Sequence, residues 1–210
     1  MAACDGFRLT IIGKGGHGAY PENCIDSVVI AAQIITAVQQ IVSRRISAIE
    51  PAVITIGSIR SSSSRGNVIS DSVVLLGTIR SFSTATRERL REEVERVCSI
   101  IRSFGAEYKL EYEIGYPPTV NDRQIAAVMK EVATELIGAD NVVELPPKTW
   151  SEDFSMLAEV SPGAFMFLGG EMNDYRRSHH SPDFDINENG LFIGSAILAA
   201  TALRLLEQSE

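Results

Sequence analysis

Residues that staple secreted domains or cage metal ions are scarce in this sequence: three cysteines, three histidines and one tryptophan among 210 positions. Cys4, Cys24 and Cys98 are odd in number, far apart and without a C-x-x-C. That argues against a disulfide framework or a cysteine-rich zinc site and fits a reducing compartment, the cytoplasm. There is no excess of positive charge either. Lys plus Arg number 19 against 27 Asp plus Glu, a formal charge of −8, so the surface repels phosphate backbones and no nucleic-acid partner is expected. MAACDGFRLT lacks the charged and apolar regions of a signal peptide. No uninterrupted apolar run reaches the roughly 20 residues of a membrane span. The nearest, Leu191 to Leu206, is broken by Gly194, Ser195, Thr201 and Arg204 and reads as a buried helix.

What is present is 45% hydrophobic and 22% charged, enough apolar surface for a core, and it is strongly patterned. Phe7–Ile12 reads as a strand running into the glycine-dense loop GKGGHGAYPEN. From Asp26, residues Val28, Val29, Ala32, Ile35, Val38, Ile41 and Val42 recur at helical spacing to about Arg45, with Asp26 or Ser27 as cap. Ala52–Ser58 and Val68–Phe82 predict two strands joined by the polar RSSSSRG. Ser83 or Thr84 then opens an amphipathic helix whose inner face is Leu90, Val94, Val97 and Ile101. Gly105 supplies a left-handed stop, and Tyr108, Leu110, Tyr112, Ile114 and Tyr116 alternate as in a half-buried strand. The order βαββαβ closes most simply as a four-stranded antiparallel sheet with both helices on one face, a ferredoxin-like α+β unit.

Pro117-Pro118 predicts a boundary, beyond which helices lengthen and strands shorten in α/β fashion. Asn121 or Asp122 caps a helix to Leu136. Val142–Leu145 and Ala164–Leu168 read as strands, Ser151-Glu152-Asp153-Phe154 as a helix start, and GGEMNDYRRSHHSPDFDINEN as a long loop before the closing helix. A loop of that length without structure of its own is functional or disordered.

Few side chains suit chemistry. His17 lies in the glycine loop, either a solvated surface residue or a functional one. The spacing GxGGxG lacks the Lys-Ser/Thr of a P-loop and the distant acid of a dinucleotide site, which argues against nucleotide binding. Ser178-His179-His180-Ser181-Pro182-Asp183-Phe184-Asp185 joins imidazoles to acids. A neutral imidazole binds zinc and nearby carboxylates can orient it, although neighbouring residues of an extended chain point to opposite sides and one of the pair at most reaches a given metal. The alternative is a polar surface loop. Asn67 and Arg80 flank the third strand, where Arg offers a two-pronged fork to a carboxylate; the competing reading is an ion pair from Arg80 to a Glu of the next helix. Glu152 and Asp153 either serve a site or favour the positive end of their helix.

Taken in order, GKGGHGAYPENCIDSV, NVISDSVVLLGTIRSFS, YPPTVND, WSEDFSML and HHSPDFDINENG resemble the aminoacylase-type amidohydrolase family of zinc metallopeptidases, hippurate hydrolase and the auxin-conjugate amidohydrolases being the nearest-looking members. The resemblance spans essentially the whole chain. It implies a βαββαβ lid and dimerisation domain, residues 1–117, and a segment of a catalytic α/β domain, residues 118–210. It also implies a homodimer formed through the lid and a site for two divalent metal ions: zinc, manganese, cobalt or nickel. In such enzymes a metal-bridging water, activated by a Glu, attacks the amide of an N-acyl amino acid or small peptide. By matching positions, His180 is implied as a metal ligand. His17 is implied as the lid histidine that steadies the oxyanion in the partner subunit's site, and Asn67 and Arg80 as the clamp on the substrate's free carboxylate. Ser151–Phe154 resemble a family stretch near the pocket to which no catalytic role is assigned.

The departures are specific. Family members carry most metal ligands and the catalytic Glu ahead of the lid, whereas here the lid begins at about Phe7. Glu92-Glu93 falls on the amphipathic helix, Cys4-Asp5 has no neighbouring His, and Ser70 stands where the family often has Pro. The expectation is therefore a fragment of a metal-dependent amidohydrolase, inactive alone, acting on small-molecule substrates. The rival expectation is a non-catalytic dimerisation or carboxylate-binding module.

Overall fold

A computed structural model of the chain describes residues 1–172 and 179–208, which fall into two compact units. The first comprises Met1–Thr119 and Pro147–Ser155, the second Val120–Pro146 and Met156–Glu210.

The first unit begins with β1 (Ala3–Ile12) and the short β2 (Gly16–His17). Helix α1 (Ser27–Gln40) follows and runs into a π-helical turn, Ile41–Arg45. Then come β3 (Ala52–Ser61), β4 (Val68–Ile69), β5 (Ser72–Ser81), α2 (Thr84–Cys98), a 3-10 stretch Ser99–Phe104, and β6 (Glu107–Glu113). The large sheet has four strands in the order β3-β5-β1-β6, antiparallel throughout. Asp26 caps α1 by accepting from Val28 N and Val29 N, Ser83 caps α2 by accepting from Thr86 N, and Gly105 stands at φ 80° as the left-handed stop.

The period-2 pattern decides which face is covered. Val73, Leu75 and Ile79 of β5 are buried together with Ile30, Ile34 and Val38 of α1 and Leu90, Val94 and Val97 of α2, so both helices sit on one side. The intervening Val74, Leu76, Thr78 and Arg80 are half-buried on the face without helices. The strand read as continuous from Val68 to Phe82 is in fact broken at Ser70 and Asp71. Ser70 is buried and its carbonyl accepts from Ser27 Oγ at 2.8 Å, while the Asp71 carbonyl and carboxylate take the amides of Gly13 and Gly15. With its backbone committed there, β4 leaves the large sheet and pairs with β2. At the other end, Ile114 and Tyr116 lie beyond β6 and are exposed.

Beneath α2, Asp5 is 1% exposed. Its carboxylate accepts from Arg87 Nε at 2.9 Å and from the Gly115 amide at 3.1 Å, and Arg87 Nη2 also donates to the Gly115 carbonyl at 2.9 Å. One buried pair thus ties β1, α2 and the segment after β6. Burial alone would raise the Asp5 pKa, but the hydrogen bonds from Arg87 and Gly115 and the charges of Arg87 and Arg91 outweigh it and hold the carboxyl below its ordinary value.

In the second unit α3 (Arg123–Ile137), capped by Asp122, packs on α5 (Asn189–Glu207) around Val128, Met129, Val132, Ala133 and Ile197. Helix α4 (Phe154–Val160) starts at the end of the Pro147–Ser155 segment and runs into this unit. The strands expected at Val142–Leu145 and Ala164–Leu168 do not form, and among the described residues no strand follows β6. An apolar run becomes a strand only where a neighbouring backbone completes its ladder. Here Phe165 finds a side chain instead: its amide donates to Asn121 Oδ1 and its carbonyl accepts from Asn121 Nδ2, both at 2.9 Å. The helix expected to be buried is largely exposed. Gly194, Ile197 and Thr201 of α5 are covered, whereas Leu191, Phe192, Leu198, Leu203 and Leu206 face outward, Phe192 at 80% exposure. A core of this size cannot cover a helix that is apolar all round.

Two helical stretches, Ser27–Arg45 and Asn189–Glu207, are each 19 residues long with hydropathies of 1.3 and 1.5, long and apolar enough to cross a membrane by length and composition. The first is accounted for by its packing on β5, and neither was visible as an apolar run because polar residues interrupt both.

Two outcomes follow from these contacts. Asp5→Ala leaves Arg87 buried without its acid and lowers the unfolding free energy by about 3–5 kcal/mol in urea titration. Because the folded Asp5 pKa lies below the unfolded one, this stabilisation is fully present above the ordinary carboxylate range and disappears as pH falls through the folded value; wild type therefore loses more stability in acid than Asp5→Asn does. Second, Phe192→Gln combined with Leu203→Gln raises the concentration at which light scattering detects aggregation, with no drop in thermal midpoint, since both side chains are exposed.

Candidate active site

The glycine loop is built for close backbone approach. A Cβ at Gly13 would lie 2.3 Å from the Ile25 carbonyl oxygen and one at Gly15 2.6 Å from that of Ile69. Here these glycines serve chain packing, and the packing ends in a small ladder in which His17 faces Val68 and Gly16 faces Ile69, with the Gly18 amide donating to the Asn67 carbonyl at 2.8 Å. His17 and Asn67 are thereby brought together at the end of this two-stranded ladder.

His17 is exposed, and its Nδ1 accepts from the Ala19 amide at 3.0 Å. An accepting Nδ1 carries no proton, so the neutral ring bears it on Nε2. The Tyr20 ring packs edge-on to the imidazole with centroids 5.8 Å apart. The ladder thus presents an oriented N–H donor on the strand opposite the Asn67 backbone, and the side-chain amide of Asn67 has no partner among the described residues.

Arg80 lies elsewhere. It faces Cys4 across β1 and Val53 across β3, half-buried on the face without helices, and donates from Nη1 to Ser151 Oγ at 3.1 Å. The ion pair with a Glu of α2 does not form, because α2 covers the opposite face. Arg45, Arg87 and Arg204 each hold a carboxylate, on Glu93, Asp5 and Glu135. Arg80 has no acid among the described residues. In the β1–β5 register Arg80 is opposite Cys4 while Ser72, close in sequence to β4 and its ladder with β2, is opposite Ile12. Eight residues at about 3.3 Å each separate those rungs by roughly 26 Å. One chain therefore cannot bring Arg80 to the same small molecule as its own His17 and Asn67.

His180 belongs to the second unit, is exposed and adopts φ 63°, a left-handed conformation uncommon for residues with a Cβ. His179 stacks obliquely on Phe184 at 5.2 Å, and Ser181 Oγ hydrogen-bonds Asp183. Ser178 and the loop from Asn173 onward to it lie outside the described residues. Among the described residues no three His, Cys, Asp or Glu side chains converge to hold a metal, so these residues do not by themselves fit a two-metal centre. Cys98 is excluded as a nucleophile, since burial and the charge of Glu95 push its thiol up to about 12. Glu152 is engaged through its backbone, its carbonyl accepting from the Ser155 amide and hydroxyl. The contact between Arg80 and Ser151 had no signal in the sequence, because nothing in the spacing of residues 71 apart announces it.

A model of peptidase family M20/M25/M40 matches residues 7–204. The chain belongs to this family. As an M20 chain it is 36% identical over 213 residues to the Arabidopsis thaliana IAA-amino acid hydrolase ILR1-like 2, covering 99% of this chain and 48% of that one. It is 35% identical over 211 residues to the Bacillus subtilis N-acetyl-L-cysteine deacetylase, covering 100% and 49%. Among solved structures it superposes on the Bacillus subtilis YXEP protein, described as a dinuclear metal binding peptidase of the M20 family, with a TM-score of 0.77 and 28% identity over 99% of this chain and 51% of that one. The M20 family is hydrolytic, acting on amide bonds in small molecules and peptides, and it includes members that bind divalent metals. The chain spans about half the length of the curated relatives it matches.

The contact from the Ala19 amide to His17 Nδ1 is visible to spectroscopy. Nitrogen-15 NMR of His17 at neutral pH shows the Nε2–H tautomer, with Nδ1 as acceptor; a resonance pattern of the Nδ1–H tautomer would contradict the Ala19 contact.

Proposed function

We propose that this chain is the ferredoxin-like lid and dimerisation domain, together with a C-terminal catalytic segment, of an M20 amidohydrolase that cleaves the amide bond of N-acyl amino acids or small peptides. It acts in the cytoplasm, where Cys4, Cys24 and Cys98 stay free. The lid binds the substrate's free carboxylate through Arg80 of one subunit and Asn67 of the other, which also supplies His17. His17 donates its Nε2–H to the oxyanion that develops on the scissile carbonyl. His180 is the metal ligand this chain contributes to a pair of divalent ions, zinc being the first choice. The remaining ligands and the Glu that activates water lie outside this chain's 210 residues, so the chain alone turns over no N-acyl amino acid.

The single observation behind this reading is the placement of a half-buried arginine, with no acid beside it among the described residues, at one end of β5 and an imidazole donor near the other. A guanidinium kept partly out of water without a counter-charge is poised for an anionic ligand. The separation calls for two copies. The sheet has an edge suited to pairing: β3 exposes Val53 and Ile59, whereas β6, at the other edge, alternates Glu107, Lys109, Glu111 and Glu113 outward. Arg80, whose partner among the described residues is a neutral hydroxyl, also favours a second reading, a carboxylate-binding dimer without catalysis, which predicts no hydrolysis under any condition.

The test mixes two variants of the enzyme extended to its relatives' full length. His17→Ala and Arg80→Ala homodimers are each expected to lose hydrolysis of N-acetylated amino acids, because each lacks one component in every site. Heterodimers place an intact His17 and an intact Arg80 in one of their two sites, so random mixing restores about a quarter of wild-type activity. No recovery on mixing, with heterodimers verified by mass spectrometry, would refute the shared site. In the same enzyme His17→Ala lowers kcat by roughly 100-fold with little change in KM, as expected for a donor acting on the transition state.

A further inference from the structure

We propose that Ser151 is a positioning residue for Arg80, holding the guanidinium on the open face of the sheet in the orientation that grips a carboxylate. This rests on the reading of Arg80 as the carboxylate clamp and names how that clamp is set.

Ser151 is held in place from both sides. The Ala2 amide donates to the carbonyls of Lys148 at 3.0 Å and Trp150 at 2.9 Å, laying that segment beside the start of β1. On the far side the Ser155 amide and hydroxyl close on the Glu152 carbonyl at 3.2 and 2.7 Å. Two residues beyond Ala2, Cys4 stands directly across from Arg80. One anchor of the Ser151 segment, the Ala2 amide, therefore immediately precedes the strand that sets Arg80's register, and Ser151 Oγ stands 3.1 Å from Arg80 Nη1.

The chemistry of the partner matters as much as its position. Arginine has five N–H donors and no acceptor, and Ser151 occupies one of them, leaving a fork of two parallel N–H groups for a carboxylate. The clasped arginines, Arg45 and Arg87, are oriented by Glu93 and Asp5, which cancel their charge. A hydroxyl orients the group and leaves its charge intact. An acid at position 151 would fill the fork from within the protein. The ligand class that fits is a monocarboxylate at the end of a small neutral body, such as the acid end of an N-acyl amino acid.

The experiment titrates the full chain, labelled with nitrogen-15 arginine, with N-acetylglycine and separately with N-acetylglycinamide, which lacks the carboxylate. The Arg80 side-chain signals shift with the acid and not with the amide. Ser151→Ala weakens N-acetylglycine binding about ten-fold, the lower end of the worth of one hydrogen bond to a charged group. It also broadens the Arg80 signals in the free protein. Ser151→Thr, which keeps the hydroxyl, restores both. Ser151→Asp abolishes the shift with the thermal midpoint unchanged, a result that a merely structural role would not produce. If Ser151→Ala and Ser151→Asp titrate as wild type while Arg80→Ala does not bind, the clamp stands and Ser151 has no part in it. If Ser151→Thr fails to restore what Ser151→Ala loses, the hydroxyl is not the acting group and the inference falls. If wild type and Arg80→Ala respond alike, or neither responds, the clamp reading itself is overturned and the Ser151 inference with it.

Discussion

The ladder between β1 and β5 is the constraint on which the first unit depends. It runs unbroken from Ala3 opposite Ser81 to Ile12 opposite Ser72, and β1 is paired along its other side to β6. Because side chains alternate with period 2, a slip of one residue would turn Val73, Leu75 and Ile79 away from the helices and bring Arg80 into the core. The burial of those three residues under α1 and α2 therefore locks the register. The register in turn sets the distance between the guanidinium at one end and the imidazole at the other. Packing energy, spent on the covered face, is what positions chemistry on the open one.

Charge placement follows the same division. On the covered side Asp5 and Glu93 are almost fully buried and each is met by arginine, Arg87 and Arg45, so that no charge is left alone in a low dielectric. On the open side Arg80 meets, among the described residues, a neutral serine hydroxyl only.

Much of the first unit was legible because its signals are local. Asp26 and Ser83 precede their helices by one residue and cap them, Gly105 takes the left-handed conformation expected of it, and Tyr108, Leu110 and Tyr112 alternate as a half-covered strand should. The second unit was less legible because its apolar runs lack local arbiters. Val142–Leu145 and Ala164–Leu168 have strand composition, yet a strand exists only by pairing, and Asn121 takes the place of a neighbouring strand at Phe165. The apolar α5 gave no hint of which of its faces would be covered, because nearly all of its faces are alike.

In the first unit the amino-acid order by itself determined the helices and the strands of the large sheet, the caps Asp26 and Ser83, and the covered face of each amphipathic element, all of which depend on neighbours a few positions away. Tertiary structure alone decided that β4 leaves the large sheet for β2, that Arg80 points away from the acids of α2, that Ser151 reaches it across 71 residues, and that His17 and Arg80 stand at opposite ends. Those outcomes depend on which distant backbones satisfy one another's hydrogen bonds, and a linear sequence carries no record of the choice until the chain is closed.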